Sequence, residues 1–259
     1  MNTKNTYTIG TSGYSFGDWV GTFYPPETKQ RDMLAEYVRH FETVELNYTF
    51  YRMPAARTIE AIANRTPQGF RFWVKANQAI THDGERSVAE PFADGLRPMI
   101  DAGKLAGVLL QFPQRFHRTV ANRKFLAAAL EALRDLPLAV EFRHRSWEHP
   151  SAAGGLRDRG VTLVIPDVPD LSGLHRPEPT ATTRTGYLRL HSRDASKWYG
   201  PEGVDRYDYS YSHEEMTQIV EAWEAIDEPI DEVFAFFNNC HHGQAAQNAE
   251  ALRRILGQI

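Results

Sequence analysis

The sequence predicts an α/β fold, a single (β/α)8 TIM-type barrel that spans residues 1–259. Three observations favour this fold. Short apolar segments typical of buried strands alternate along the chain with amphipathic segments typical of helices. Eight such strands fit into about 250 residues, the usual length of this barrel. The loop after the first strand, GTSGYSFG, lacks the GxGxxG spacing that would favour an open, dinucleotide-binding sheet.

The predicted strands recur from the first apolar segment to residue 239. They cover residues 7–10, 43–51, 70–77, 106–112, 138–144, 161–167, 186–192 and 232–239. Apolar residues at helical spacing predict helices near residues 31–41, 59–63, 125–133, 213–226 and 245–256. Ser212 and Glu215 have the spacing of a capping box, which predicts the start of the helix at residue 213.

Composition and charge argue against several classes of protein. The formal net charge of −4 does not favour a sequence-independent grip on nucleic acid, which needs a field of Lys and Arg. No window approaches the roughly 20 apolar residues of a membrane span, and the first residues lack the apolar run of a targeting signal. The single cysteine, Cys240, excludes an intrachain disulfide. We expect a cytoplasmic protein without a membrane partner; the oligomeric state stays open.

Polar residues interrupt the apolar strands close to their carboxyl ends. Glu45 and Asn47 lie on one side of the second strand and Val44 and Leu46 on the other, because successive side chains alternate. In a parallel barrel the inward side chains at the carboxyl ends of all strands meet at one mouth. The site predicted there contains Glu45, Asn47, Tyr51, Lys75, Gln111, Glu141, Arg143, Trp147, Asp167, Arg189, His191, Asn238 and Asn239.

The mixture of acids and bases suits a small anionic substrate. Arg143 or Arg189 would hold a phosphate or carboxylate through paired hydrogen bonds, with Lys75 as a point charge. Candidates for acid–base catalysis are Glu45, Glu141 and His191, and the remaining members of the set are candidates for substrate binding. The alternative is a polar barrel core in which the charges only neutralise one another. For the whole set a functional mouth is favoured, since buried ion pairs are a poor source of stability.

Metal ligands are present in type but not in a metal-binding pattern. His82, His241 and His242 are candidates beside the acidic residues, yet the sequence contains no HExxH and no paired CxxC. No metal site and no cofactor are predicted, and a divalent metal is left open. Aromatic residues from 198 to 211 lie in a long segment that would serve as a lid over the mouth.

Several motifs together resemble the YecE-like family, a domain of unknown function. They include GTSGYSFGDWVGTFYP, VELNYTFYRMP, FRFWVKANQAITH, VEFRHRSW and FFNN, and the resemblance runs from about residue 9 to 252. The resemblance implies a TIM-type barrel but no established reaction. The family's fold has been likened to endonuclease IV, which cleaves DNA with bound metals, and this is an analogy of fold only. Members often carry an aromatic or acidic residue where this chain has Cys240 and His241, which weakens a metal site there.

Three functions are therefore carried forward. The first is an enzyme of hydrolase, lyase or isomerase type that binds a small anionic substrate, phosphorylated compounds included, at the mouth and uses carboxylate or histidine acid–base chemistry. The second is a metal-dependent phosphodiesterase that acts on nucleic acid. The third is a non-catalytic protein that binds a ligand or nucleic acid.

Overall fold

Eight parallel strands form a barrel in this computed structural model, which describes residue 1 and residues 3–200 and 205–259. Neighbours around the barrel follow the order β1-β8-β7-β6-β5-β4-β3-β2. The predicted (β/α)8 TIM-type barrel is thus confirmed. The strands are β1 (Thr6–Thr11), β2 (Thr43–Leu46), β3 (Arg71–Lys75), β4 (Leu105–Gln111), β5 (Leu138–Glu141), β6 (Thr162–Asp167), β7 (Thr185–Leu190) and β8 (Glu232–Phe237).

Helices lie between the strands and cover the outside of the barrel. In the described part of the chain they are α1 (Met33–Tyr37), α2 (Tyr48–Tyr51), α3 (Ala56–Asn64), α4 (Ala89–Gly95), α5 (Arg97–Asp101), α6 (Val120–Ala132), α7 (Pro150–Arg157), α8 (His213–Glu224) and α9 (Gln244–Ile255). The predicted capping box is confirmed, since Ser212 and Glu215 exchange hydrogen bonds at the start of α8. Among the described residues, no helix is both long and apolar enough to cross a membrane.

The barrel interior and the layer beneath the helices are two separate apolar cores. The interior is filled by Trp73, Leu109, Ala139, Val164, Tyr187, Phe234 and Phe236. Trp73 and Tyr187 reach across from β3 and β7, with ring centroids 4.6 Å apart. Residues of the opposite parity, such as Val44 and Leu188, join the larger core beneath the helices. The alternation expected from the sequence therefore sorts side chains into inward and outward sets.

The barrel closes between β1 and β2 through an unusually close approach. Ser12 and Glu45 form a parallel bridge just beyond the end of β1. Two residues earlier, a β-carbon at Gly10 would lie only 2.4 Å from the carbonyl oxygen of Thr43. Glycine is therefore required at this position, because any side chain would push the two strands apart.

The second strand is shorter than predicted. Residues 43–51 were expected to be extended, but β2 ends at Leu46 and α2 begins at Tyr48. Two hydrogen bonds to β3 and its following loop hold this turn: Thr49 Oγ1 donates to the Lys75 carbonyl at 2.6 Å, and the Asn77 amide donates to the Thr49 carbonyl at 2.9 Å. The prediction of an extended chain through Tyr51 is wrong because these tertiary bonds favour a helical turn.

Candidate active site at the carboxyl-terminal mouth

A buried ion pair between β2 and β7 lies at the centre of the mouth. The Arg189 guanidinium donates two hydrogen bonds to Glu45, Nε to Oε2 at 2.9 Å and Nη2 to Oε1 at 2.8 Å. The Tyr187 hydroxyl donates to the same Oε2 at 2.6 Å. All three side chains are buried, so this two-bond pairing is not screened by water. Both oxygens of Glu45 are therefore occupied.

Glu141 connects the two arginines of the mouth. Its Oε2 accepts a hydrogen bond from Arg189 and its Oε1 forms an ion pair with Arg143. Burial by itself would raise the pKa of Glu141, but the charges of Arg143 and Arg189 hold that pKa well below its usual range. The Glu141 side chain is consequently ionised in the folded protein at neutral pH.

His191 is a neutral imidazole held in one tautomer. Burial, followed by the charge of Arg143, lowers its pKa to about 3. The Asn238 amide lies 2.9 Å from Nδ1, and an amide N–H that donates there leaves the ring proton on Nε2. Nε2 lies 3.4 Å from Glu141 Oε1, longer than an ordinary hydrogen bond. His191 thus faces the carboxylate without forming a tight bond to it.

Lys75 completes the set of charges but not the network of hydrogen bonds. The side chain is half-buried, and Nζ lies 4.2 Å from the centroid of the Phe50 ring. It forms no hydrogen bond or ion pair with the residues that the structure describes. Burial and the charge of Arg189 lower its pKa to about 7, although Glu45 and Glu141 act in the opposite direction.

Three more polar atoms just after β1 and β2 are buried and unpaired within the described part of the chain. They are Ser12 Oγ, Asn47 Oδ1 and Tyr48 Oη, none of which has a hydrogen-bond partner among the described residues. A buried polar atom without a partner costs about 1–3 kcal/mol. Such atoms need a hydrogen-bond partner from solvent or from a bound molecule.

Two further predicted residues lie at the edge of this arrangement. Gln111 is half-buried at the end of β4, and its amide donates to the Phe112 carbonyl at 2.8 Å. Tyr51 is 74% exposed in α2 and packs edge-to-face against Phe50. Among the described residues, neither side chain forms a hydrogen bond to the ion-paired groups, and their predicted contact with substrate stays a prediction.

Trp147 was predicted to bind substrate, but it lies in the outer core. Its ring stacks on Phe142 with centroids 4.1 Å apart, and its indole N–H donates to the Phe116 carbonyl at 2.7 Å. Phe142 has the parity opposite to Glu141 and Arg143 and therefore faces away from the barrel interior. Trp147 packs against that outward face, and its predicted contact with substrate stays a prediction.

Asp167 and Asn239 are engaged in holding loops. Asp167 accepts hydrogen bonds from Nε and Nη2 of Arg193, and a third from the Tyr211 hydroxyl at 2.8 Å. The Asn239 amide donates to the Tyr209 carbonyl at 2.7 Å and to Asn248 at 2.8 Å. Both residues follow the inward position of their strands by one, so they turn toward the loops. Their predicted contact with substrate stays a prediction.

Tyr187 and Phe50 were missed as members of the site. Tyr187 shares its parity with Arg189 and His191, so the alternation along β7 was a sufficient signal for it. Phe50 carried no such signal, because its position beneath Lys75 depends on the unpredicted helical turn of α2.

The histidines after β8 form no metal-binding group with other residues in the described part of the chain. His241 Nδ1 lies 3.2 Å from Asp208, and His242 adopts a left-handed backbone conformation with φ of 46°. In the ranges that the structure describes, no group of three or more His, Cys, Asp and Glu side chains is arranged to hold a metal ion. The long segment predicted as a lid includes residues 201–204, which lie outside the described residues.

Comparison with known proteins agrees with the motifs and the barrel. A family model described as "Protein of unknown function DUF72" matches residues 8–259. The chain belongs to the DUF72 family. The YecE-like resemblance is also confirmed, since the curated relatives carry UPF0759 names. The UPF0759 protein YunF of Bacillus subtilis (strain 168) is 30% identical over 96% of this chain and 94% of that protein. The UPF0759 protein YecE of Escherichia coli (strain K12) is 30% identical over 52% of each chain.

Solved DUF72 structures have the same barrel. A DUF72 family protein from Thermotoga maritima superposes with a TM-score of 0.90 at 36% identity, covering 98% of this chain and all of that one. A DUF72 family protein from Enterococcus faecalis V583 gives a TM-score of 0.87 at 27% identity, covering 97% and 96%. The family and its fold are therefore shown, and the family name carries no reaction.

Proposed function

We propose that this DUF72 protein is an enzyme that binds a small anionic substrate, phosphorylated compounds included, at the carboxyl-terminal mouth of its barrel. The observation that carries the proposal is the imbalance of charge there. Lys75, Arg143 and Arg189 face only two carboxylates, Glu45 and Glu141. Whenever Lys75 is protonated, one positive charge is left for which the described inward side chains provide no carboxylate. An anion from solution would balance it.

Arg143 is the residue best placed to hold the anion. Its side chain is 15% exposed, whereas that of Arg189 is 2% exposed and donates to both carboxylates. Arg143 can therefore be reached from the mouth without opening the central ion pair. Its planar guanidinium matches a carboxylate or phosphate with two parallel N–H donors.

Glu141 is the carboxylate that we assign to proton transfer. Arg189 fixes its Oε2, while Oε1 faces Arg143 and His191. An anion that draws Arg143 toward itself weakens the charge that holds the pKa of Glu141 low, and the carboxylate then becomes a stronger base. In this mechanism Glu45 positions Arg189, and neutral His191 faces Oε1 at 3.4 Å. Substrate binding and activation of the base are thus coupled.

Calorimetric titration with inorganic phosphate and with oxalate tests the anion site. Arg143→Gln should weaken binding of the anion by roughly tenfold to a hundredfold, the value of a charge-assisted hydrogen bond. The matched control is Arg184→Gln, which removes an exposed arginine paired with Asp231 and should leave binding unchanged. Equal affinity of the Arg143 variant and the unmodified protein would overturn the proposal.

The phosphodiesterase and the non-catalytic binding protein stay predictions from the sequence. Neither is favoured by a specific observation on the described residues, and the ion-paired carboxylates of the mouth are already held by arginines rather than open to a cation.

A further inference from the structure

Two buried or half-buried lysines of this chain have opposite surroundings. Lys104 Nζ donates to the Ala63 carbonyl at 2.7 Å, to the Thr66 carbonyl at 2.8 Å and to the Thr66 hydroxyl at 3.1 Å. All three donors of that ammonium are used, and it joins α3 to the start of β4. Lys75 Nζ instead faces the ring of Phe50 and donates to no described residue. Lys104 therefore has a structural role, whereas the contacts of Lys75 give it no such role among the described residues.

The two carboxylates whose charges act on Lys75 are already paired with other side chains. Glu45 accepts from Arg189 and Tyr187, and Glu141 is bound by Arg189 and Arg143. Because its pKa is lowered to about 7, Lys75 has a much larger neutral fraction near neutral pH than an ordinary lysine. An ordinary lysine is neutral in only about one molecule in three thousand at pH 7. A desolvated amine beside other cations is the arrangement that makes lysine a nucleophile.

We propose that Lys75 is the catalytic amine of this site and that the substrate is a small anionic aldehyde or ketone, bound to Lys75 as an imine while Arg143 holds its anionic group. The inference rests on the proposed function for the anion at Arg143. It adds the reacting group and the chemical class of the substrate.

The covalent step needs no oxidant or reductant. The Nζ lone pair attacks the carbonyl carbon, a C–N bond forms, and the electron pair of the C=O bond moves to oxygen. A proton passes from nitrogen to that oxygen to give a carbinolamine. The C–O bond then breaks, the leaving hydroxide takes up one proton, and water is released. The product is a protonated imine, so one proton is consumed for each imine formed.

The surroundings of Lys75 suit the charge of this product. The protonated imine carries one positive charge where the ammonium was, against the face of Phe50 and near the carboxylates of Glu45 and Glu141. The ring also keeps water from one side of the nitrogen. An electron-poor imine in turn makes the neighbouring C–H bond acidic, which gives Glu141 a proton to remove.

Borohydride trapping on the full chain tests the imine. The protein is incubated with glyoxylate or, separately, with pyridoxal 5′-phosphate, reduced with sodium borohydride, and mapped by peptide mass spectrometry. The chain has six lysines, at positions 4, 29, 75, 104, 124 and 197. At pH 7 we expect adduct at Lys75 at least about tenfold faster than at any other lysine, and none at Lys104. This estimate is below the ratio of neutral fractions, because nucleophilicity falls with pKa.

Lys75→Arg is the matched variant, since it keeps the positive charge and cannot form an imine. It should lose the selective adduct and retain binding of inorganic phosphate. Absence of a Lys75 adduct with both probes, or equal labelling of the exposed lysines, overturns the imine, and phosphate binding lost in Arg143→Gln would then still support the proposed function. Conversely, selective labelling of Lys75 by uncharged propionaldehyde, without phosphate binding, supports the amine and overturns the anion site.

Discussion

Arg189 is the residue on which the charges of the mouth depend. One guanidinium donates to Glu45 on β2 and to Glu141 on β5, strands that lie three positions apart around the barrel. Each carboxylate is fully buried and would be strongly unfavourable without this partner. The arrangement therefore specifies the geometry of the site more than it adds to stability. Removal of one charged side chain should therefore destabilise the protein, because it leaves a buried charge without its partner.

Arg189→Met should lower the free energy of unfolding by about 3–5 kcal/mol, the usual cost of breaking a buried pair and leaving its partner charged. Urea unfolding measures the change. Arg184→Met serves as the control, because its pair with Asp231 is exposed and its loss should have little effect. Similar effects of the two substitutions would show that the central ion pair is not effectively buried.

His191 should make stability depend on pH. Its pKa is about 3 in the folded protein and near 6.5 when unfolded, so between these values the unfolded chain binds a proton that the folded chain does not. The free energy of unfolding therefore rises with pH through this window. The contribution that His191 makes to it is lost as pH falls from 6.5 toward 3. His191→Asn should reduce this slope by about 1.4 kcal/mol per pH unit between pH 4 and 6.

Urea unfolding at a series of pH values measures the slope, with His213→Asn as the control because His213 is exposed at the start of α8. An unchanged slope in the His191 variant would contradict a buried neutral imidazole.

At the scale of elements, short loops after the strands decide which side chains reach the mouth. The strands and their inward faces were predictable from alternation alone, as at Glu141 and Arg143. The ends of the strands were not, because bonds such as that from Thr49 to the Lys75 carbonyl depend on a neighbouring strand. Trp147 illustrates the consequence: it follows β5 in sequence, but the turn Arg145–Trp147 directs it outward.

Asn248 in α9 should hold in place the segment that leads into α8. Asn248 Oδ1 accepts from the Tyr211 backbone N–H at 3.0 Å, and its amide donates to the Tyr211 carbonyl at 3.1 Å. Asn248→Ala leaves these backbone groups unpaired, so exchange of the Tyr211 amide hydrogen should accelerate by at least about tenfold. Gln247→Ala on the exposed side of α9 is the control. Protection retained in the Asn248 variant would count against this role.

The whole molecule depends on closure of the barrel between β1 and β2. The hydrogen-bonded sheet runs from β1 through β8 to β2, and the last gap is bridged at Ser12 and Glu45. Glu45 thus both closes the barrel and pairs with Arg189. The fold and the candidate site share this residue, so a change in closure should also move the ion pair.

Gly10→Ala should destabilise the folded barrel by about 1–3 kcal/mol, because its β-carbon overlaps the Thr43 carbonyl and over-packing costs that much. Gly17→Ala is a matched control, since its β-carbon would meet nothing within 4 Å. The control should be neutral or slightly stabilising. Urea unfolding followed by fluorescence and by circular dichroism reports both values, and a neutral Gly10 variant would show that closure tolerates a wider gap.

The sequence by itself determined the eight strands, their inward faces and the polar residues that gather at one mouth. Alternation is a local property, so it can be read without knowing the fold. The tertiary structure decided which charges pair, because 144 residues separate Glu45 from Arg189 along the chain. It also left Lys75 over Phe50 rather than beside a carboxylate, packed Trp147 in the outer core and bonded Asp167 to Arg193 and Tyr211. Pairing depends on distances between strands and on turns fixed by neighbouring elements, which no single segment contains.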